Sequence, residues 1–505
     1  MNIVFVFADD WGKYASIYKN MEGKDSINSL INTPNIDRIA REGALFNNAF
    51  VPAPTCTPCR SSVLSGRYFW QTGMGAILQG AKWDENIPSY PLELEKNGWH
   101  IGHSYKVWAP GEEENAPYGA KRTAYNSRGT RFGQFSQEVS KLSKKIGKEK
   151  AMQVMFDEVK GNFTDFLDNR PEGAPFCYWC GPTNTHRTWE RGSGKALWGL
   201  DPEKLKGKMP SFFPDVEDVR EDFADYLGEA MAFDGAVGAI IKKLEDIGEL
   251  DQTLFIVSGD HGVPGMPRSK CNLYNIGCEV ALAVRWPKHI SENRIINDFV
   301  NIMDLAPTFL EAADVVKPEG MSGRSLMPLL KSRVSGQIEQ DRTFVVTGRE
   351  RHVACAREGK LPYPQRAIHT KEYLYILNFE PDRWPMGTPK GIDTKENLLT
   401  YKQIEEDTFV THADMDAGPT KAWMVCNREN ETYKTQYDLC FDKRPKEELY
   451  DLKNDPFYTE NVANDTSYQN IKEKLSKQLI DILVREEDPR VVEQPCRYEL
   501  PPYTD

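Results

Sequence analysis

Residues 2–10 read NIVFVFADD, and this stretch decides the fold. After Asn2 the run is wholly apolar and rich in β-branched and aromatic side chains, which is typical of a strand buried on both faces of a sheet. Asp9 and Asp10 follow at once, and open α/β sheets bind their ligands at the carboxyl ends of the strands. We therefore predict a core β-strand that delivers two carboxylates to a ligand-binding edge.

Runs of the same kind recur over the first two-thirds of the chain, separated by amphipathic segments. Strands are predicted at Ile3–Phe7, Trp99–His103, Phe176–Cys180, Leu254–Ser258 and Val280–Arg285. Helices are predicted at Phe223–Leu244, where apolar residues recur at helical spacing, and at Asp304–Ala313, with Asp304 near the N-cap and Pro307 in the first turn. This alternation predicts an α/β fold with a doubly wound, mainly parallel sheet flanked by helices.

The pattern of predicted secondary structure changes near residue 340. Shorter strands are predicted at Thr343–Thr347, Arg366–His369 and Tyr373–Leu377, separated by polar, proline-rich loops. We predict a large N-terminal catalytic domain over residues 1–340 and a smaller C-terminal α+β domain with an antiparallel sheet over residues 341–505. The lysine-rich segment Lys141–Lys150 is interpreted as the solvated face of a helix.

Composition excludes several classes of function. The formal net charge of −12 argues against broad binding to nucleic acid. No apolar run approaches the length of a membrane-spanning helix, and the first one is too short for a secretory signal. The ten cysteines are too sparse for a disulfide scaffold and allow one thiol to be used in chemistry.

A second polar pair, Asp260 and His261, follows the predicted strand Leu254–Ser258 after one glycine. Alone, Asp9 and Asp10 would be better explained as the N-terminal cap of a helix. Two such pairs, each closing an apolar strand, favour a shared site for a hard divalent cation.

The most specific motif lies in residues 54–67, PTCTPCRSSVLSGR. Cys56-x-Pro58-x-Arg60 followed by Leu-Ser-Gly-Arg resembles the signature of the type I sulfatases, an alkaline-phosphatase-like family whose cysteine is oxidised to formylglycine. Further similar segments follow in family order, at 260–262, 272–274, 304–308, 323–326 and 448–452. The segment at 363–368 is similar to relatives of heparan N-sulfatase.

The resemblance implies a mechanism and a metal. Cys56, as formylglycine, would be hydrated, and one hydroxyl of the diol would attack sulfur. Asp9, Asp10, Asp260 and His261 would surround one calcium ion together with Cys56. Calcium prefers oxygen ligands and many sulfatases have asparagine at the position of His261, so magnesium or another divalent ion stays open.

Four more residues match family positions by resemblance. Arg60 would fix the diol and touch the sulfate, Lys270 would hold a sulfate oxygen, and His186 would protonate the leaving oxygen. Lys106 matches the lysine of a Gly-Lys-Trp-His motif that many sulfatases carry. One position departs from the pattern, since Trp108 stands where many sulfatases have histidine. Trp108 and Trp189 are also candidates for stacking on sugar rings or for core packing.

These observations favour a sulfatase that hydrolyses sulfate esters or sulfamates of a sulfated polysaccharide or oligosaccharide. Its implied partners are that glycan and a formylglycine-generating or sulfatase-maturing enzyme, and family habit implies a periplasmic or secreted location. A phosphonate or phosphate ester hydrolase of the same superfamily, and an inactive sulfated-glycan binding protein, are the alternatives. A zinc site or a redox role for Cys56 and Cys59 fits the motif less well, because Cys177 and Cys180 would face opposite sides of a strand.

Overall fold

A computed structural model describes residues 1–112, 116–393 and 398–505. Its main sheet has seven strands in the order β3-β4-β1-β5-β6-β2-β7. These strands are β1 Asn2–Ala8, β2 Ala44–Phe50, β3 His100–Tyr105, β4 Phe176–Gly181, β5 Thr253–Gly259, β6 Leu282–Arg285 and β7 Arg294–Asn301. Among the described strands of this sheet, β6 alone runs antiparallel to its neighbours.

A second sheet follows in the C-terminal third of the chain. Its four strands are β8 Phe344–Arg349, β9 Gln365–Thr370, β10 Tyr373–Asn378 and β11 Glu447–Asp451. They lie in the order β11-β10-β9-β8, and each neighbouring pair is antiparallel. The predicted fold class, a mainly parallel sheet with helices plus a smaller antiparallel sheet, is confirmed.

Helices cover both faces of the main sheet. Alternate residues of β1 therefore belong to two different apolar clusters, one on each face. The helices are α1 Lys19–Glu22, α2 Pro34–Arg41, α3 Cys56–Ser65, α4 Tyr90–Lys96, α5 Phe135–Ile146, α6 Lys148–Asp168, α7 Ser193–Trp198, α8 Glu217–Asp246, α9 Asn275–Cys278, α10 Leu305–Ala312, α11 Met327–Lys331, α12 Tyr401–Glu406, α13 Pro419–Cys426, α14 Lys434–Phe441, α15 Gln469–Arg485 and α16 Pro489–Val492. On one face β1 packs against α3, α4 and α10, and on the other against α2, α6 and α8.

The structure refines three predictions about individual elements. Each predicted strand coincides with an observed one, but β2, β7 and β11 were not predicted. Asp304 precedes α10 without capping it, since its carboxylate accepts the Arg324 N–H and pairs with Arg342. The segment 141–150 spans the end of α5 and the start of α6, which meet at Gly147.

The second sheet packs into the core of the first. Val345, Leu374, Ile376 and Tyr450 of the second sheet belong to the same buried cluster as β1. The domain bounds 1–340 and 341–505 therefore stay a prediction about a chain whose two sheets share apolar contacts.

All ten cysteines lie within the described residues, and all are free thiols. Cys177 and Cys180 belong to clusters on opposite faces of the sheet, as the strand geometry predicts. No described helix combines the length and the apolar character that crossing a membrane requires.

Candidate active site

The two polar pairs, Asp9–Asp10 and Asp260–His261, lie close together because β1 and β5 are adjacent parallel strands. Ala8 pairs with Gly259 at the carboxyl ends of these strands. The Asp10 N–H donates to Oδ1 of Asp260 at 2.7 Å, which ties the two strand ends together. Asp10 has a φ of 54°, an uncommon conformation for a residue other than glycine, so the turn after β1 is held by its surroundings.

Helix α3 begins at Cys56, directly after Thr55 in extended backbone. Pro58 lies in the first turn, where a missing N–H costs nothing. Arg60 follows Cys56 by four residues, about one helical turn, so both side chains lie on the same side of the helix. The helix ends at Gly66, which has a left-handed φ of 66° and donates its N–H to the Ser62 carbonyl. Helix geometry thus accounts for the spacing of this motif.

Arg60 is fully buried and links the two strand ends. Its Nε donates to Asp260 at 2.8 Å and its Nη2 to Asp9 at 3.1 Å. Lys106 completes this side of the site with contacts of 2.7 and 2.8 Å to the two oxygens of Asp9. Burial alone would raise the pKa of Asp9, but Lys106 and Arg60 hold it well below its usual range.

On the other side of the site, Lys270 contacts Asp10 at 2.8 Å and Asp416 at 3.2 Å. Burial opposes its charge, but these two carboxylates raise the pKa of Lys270 well above its ordinary value. His186 lies with Nδ1 2.6 Å from the Arg187 carbonyl, which only accepts, so that nitrogen carries a proton. Its Nε2 lies 3.8 Å from Asp10 and is the nitrogen available for proton exchange.

The donor set fits a divalent cation. One ligand atom each from Asp10, Cys56, Asp260 and His261 lies within 4.8 Å of the other three. His261 Nδ1 lies 3.1 Å from the Gly262 carbonyl, and its Nε2 lies 3.1 Å from Asp10 Oδ1. Two buried carboxylates this close to each other need positive charge beside them, which a divalent cation would supply. Asp9 stands apart from this set, because both of its oxygens are held by Lys106 and one also by Arg60.

A cleft of about 880 Å³ opens above these residues. Asp9, Cys56, Lys106, His186 and Lys270 line it. The remaining predicted site residues, which are Asp10, Arg60, Asp260 and His261, have 0% exposure and lie behind this lining. The structure therefore brings all nine predicted residues together in two layers.

The Cys56 thiol is not a ready nucleophile. Burial and the charge of Asp9 raise its pKa well above the usual range, and burial raises that of Cys59 likewise. A redox pair depends on thiolate, so the raised pKa values disfavour the redox interpretation of Cys56 and Cys59.

The cleft residues that the sequence interpretation missed include His352 and Asp416, and both come from the C-terminal third. His352 lies just after β8 with Nδ1 2.6 Å from Thr55 Oγ1, and burial lowers its pKa to about 3, so the ring is neutral. The polar run Arg349–His352 after a predicted strand is the signal that would have found it. Asp416 lies in a loop before α13, and no pattern in the sequence marks it.

Trp108 packs in the core and does not line the cleft. Its indole N–H donates to Ser61 at 2.8 Å, and its ring meets Trp83 edge to face. A sugar-stacking role for Trp108 is therefore wrong, and core packing explains this residue. His100 and His103 do not replace the missing histidine, since both rings bond to backbone carbonyls outside the cleft.

The sheet with acidic pairs at its strand ends defines an alkaline-phosphatase-like fold. A solved structure in complex with its substrate D-glucosamine-2-N,6-O-disulfate matches 97% of this chain and 99% of its own, with a TM-score of 0.63 at 17% identity. The phosphonate monoester hydrolase of Agrobacterium radiobacter matches 96% of both chains, with a TM-score of 0.61 at 16% identity.

Sequence comparison narrows the class to a family. The sulfatase profile matches residues 1–315, and the profile described as N-sulphoglucosamine sulphohydrolase, C-terminal, matches residues 267–387. The chain belongs to the sulfatase family. An ulvan-active sulfatase of Formosa agariphila is 28% identical, covering 95% of this chain and 79% of its own. Human N-sulphoglucosamine sulphohydrolase is 26% identical, covering 95% and 89%.

Proposed function

We propose that this hydrolase removes sulfate from a sulfated glycan, with Cys56 converted to formylglycine and a divalent metal, calcium in the first place, held beside it. The observation that carries the proposal is the position of Cys56 at the start of α3, on the floor of the cleft and 3.4 Å from His261. The curated relatives named for ulvan and N-sulphoglucosamine support a carbohydrate substrate.

Each residue around Cys56 has a role that its contacts support. Lys106 and Lys270 reach the floor of the cleft from two sides, where they neutralise a sulfate group. The start of α3 adds unpaired backbone N–H groups, which favour an anion at the same place. His186 Nε2 faces the cleft and gives a proton to the departing oxygen or nitrogen of the sugar.

Arg60 acts from behind the floor. With no exposed surface and bonds to Asp9 and Asp260, it fixes the two carboxylates rather than reaching far into the cleft. Asp10, Asp260 and His261 would hold the metal, and Asp9 is kept in the ligand set as a prediction. When bound, the metal would supply a Lewis acid that activates the hydrated aldehyde.

The first test is mass spectrometry of the Cys56 peptide from protein made in its native host, which is expected to show conversion to formylglycine. Sulfate release from aryl and glycan sulfates is measured on the same sample. Cys56→Ala is expected to abolish release, whereas Cys355→Ser, which changes an exposed thiol, is the matched control. An unmodified Cys56 in protein that still releases sulfate would overturn the formylglycine assignment.

A phosphonate or phosphate ester hydrolase is the second candidate, and the matched fold of a phosphonate monoester hydrolase favours keeping it. Sulfuryl and phosphoryl groups share tetrahedral geometry, and the cations at this floor suit both. We expect kcat/KM to be higher for an aryl sulfate than for the aryl phosphate or phosphonate with the same leaving group. The reverse order would make phosphonate or phosphate ester hydrolysis the function.

Export to the periplasm or the medium, where large glycans are met, is part of the first proposal.

A further inference from the structure

The walls of the cleft differ in charge from its floor. Three cations line the cleft, namely Lys106, Arg187 and Lys270. Lys106 and Lys270 lie on the floor and pair with Asp9, Asp10 and Asp416. Both lysines are therefore neutralised by these carboxylates, and both also serve the sulfate group that reacts beside Cys56.

Arg187 is also fully engaged. Its two Nη atoms bind both oxygens of Asp222 at 2.8 and 2.7 Å, and its Nε donates to the Pro264 carbonyl. Its guanidinium lies 4.1 Å above the ring of Trp189. Among the described residues that line the cleft, every Lys and Arg is therefore paired within the protein.

The outer cleft offers neutral groups instead. Amide and hydroxyl side chains line it at Asn126, Thr130, Gln134, Thr183 and Thr188. Thr130 and Gln134 are exposed and Thr183 is half-buried, so their polar atoms are available to a ligand. Groups of this kind bind sugar hydroxyls without requiring a charge on the ligand.

An exposed phenyl ring completes the wall. Phe409 is 54% exposed and lines the cleft. Hydrogen bonds hold the two ends of the loop that carries Phe409 together. Buried Lys421 donates to the Thr408 and Met415 carbonyls, and the Ala417 N–H donates to Thr408 Oγ1. Phe409 is thus presented to the cleft by a fixed loop, as a flat apolar surface for the C–H face of a sugar ring.

We propose that the outer cleft is a subsite for an uncharged sugar ring, so that the preferred substrate carries the scissile sulfate and no second anionic group on the ring that bears it. This inference rests on the proposed function. A second sulfate or a carboxylate would find no free cation among the described lining residues.

The test compares matched sugars, such as N-acetylglucosamine 6-sulfate with glucosamine 2-N,6-O-disulfate, across a panel of positions and with converted enzyme. We expect kcat/KM to favour the monosulfated member of each productive pair by about tenfold. Equal rates, or preference for the doubly anionic member, would overturn the inference while leaving the sulfatase activity in place. Release from neither sugars nor aryl sulfates by converted enzyme would overturn the proposed function and this subsite with it.

Two variants test the wall directly. Phe409→Ala is expected to lower kcat/KM for the monosulfated sugar about fivefold, mainly through KM. Phe457→Ala, at an exposed phenyl outside the cleft, is the matched control and should leave kcat/KM unchanged. Gln134→Lys adds a cation to the wall and should reduce the discrimination against the disulfated sugar about threefold. An unchanged KM in Phe409→Ala together with unchanged discrimination in Gln134→Lys would reject the subsite.

Discussion

Four histidines lie deep inside the protein, and burial lowers the pKa of each to about 3. They are His103, His352, His369 and His412. Their rings are neutral in the folded state but titrate near 6.5 in the unfolded chain. Because the folded pKa lies below the unfolded one, the stability they contribute is complete above about pH 6.5 and is lost as the pH falls.

His369 is the clearest place to measure this effect. It lies in β9, remote from the cleft, and its ring nitrogens contact Thr347 and Asn275 at 2.9 and 3.0 Å. Between pH 7 and pH 5, the free energy of unfolding should fall by about 2 kcal/mol more in the wild type than in His369→Gln. Urea unfolding at the two pH values measures the difference, with His289→Gln as the surface control. Equal losses in wild type and His369→Gln would contradict the assignment.

At the residue scale, site residues could be predicted where they directly follow an apolar strand or belong to a short, specific sequence motif. Asp10 and His261 were found from strand ends, and Cys56 from its motif. Asp416 was not, because its place beside Lys270 depends on how a loop some 150 residues further along the chain folds back, which no local pattern encodes. The ion pairs of Asp9 were also beyond the sequence, since they depend on which carboxylate Lys106 and Arg60 reach.

Among the elements, α3 has the most constrained end. Gly66 has a left-handed φ, and a Cβ there would lie 3.1 Å from Met321 and 3.3 Å from Ala306. Gly66→Ala should therefore cost about 1–2 kcal/mol of stability, as backbone strain plus crowding.

Gly199 provides a matched comparison, because it ends α7 with nearly the same backbone angles but has open space where a Cβ would lie. Gly199→Ala should cost about 1 kcal/mol from strain alone. Thermal unfolding of both variants separates the two contributions. A Gly66→Ala variant no less stable than Gly199→Ala would show that the contact with Met321 relaxes freely.

At this scale the sequence predicted most strands that contain an apolar run and missed three that carry several polar residues, which are β2, β7 and β11. Asn47 and Asn48 interrupt β2, and β7 carries Arg294, Asn297 and Asp298. Both strands lie at one end of the main sheet, where partial exposure permits polar side chains. Their pairing is decided by neighbouring strands rather than by their own composition.

For the whole molecule, the buried acidic floor predicts a dependence of stability on metal. A cation that binds only the folded state stabilises it by mass action, so EDTA should lower the thermal midpoint by about 3 °C or more, and added Ca²⁺ should restore it. Scanning fluorimetry in EDTA, Ca²⁺ and Mg²⁺ measures this without any substrate. Asp260→Asn should abolish the response. A midpoint indifferent to EDTA in protein shown to contain metal would argue against a cation at Asp10, Asp260 and His261.

The cleft combines parts from opposite ends of the chain, and this has a consequence for biosynthesis. Cys56 leaves the ribosome early, whereas Phe409 and Asp416 follow roughly 20 to 70 s later at ordinary rates of translation. Until then the cleft lacks one of its walls, and in the finished protein the Cys56 side chain is only 2% exposed. On the proposed function, an enzyme that modifies this thiol would have readier access to it before the C-terminal third folds against the cleft.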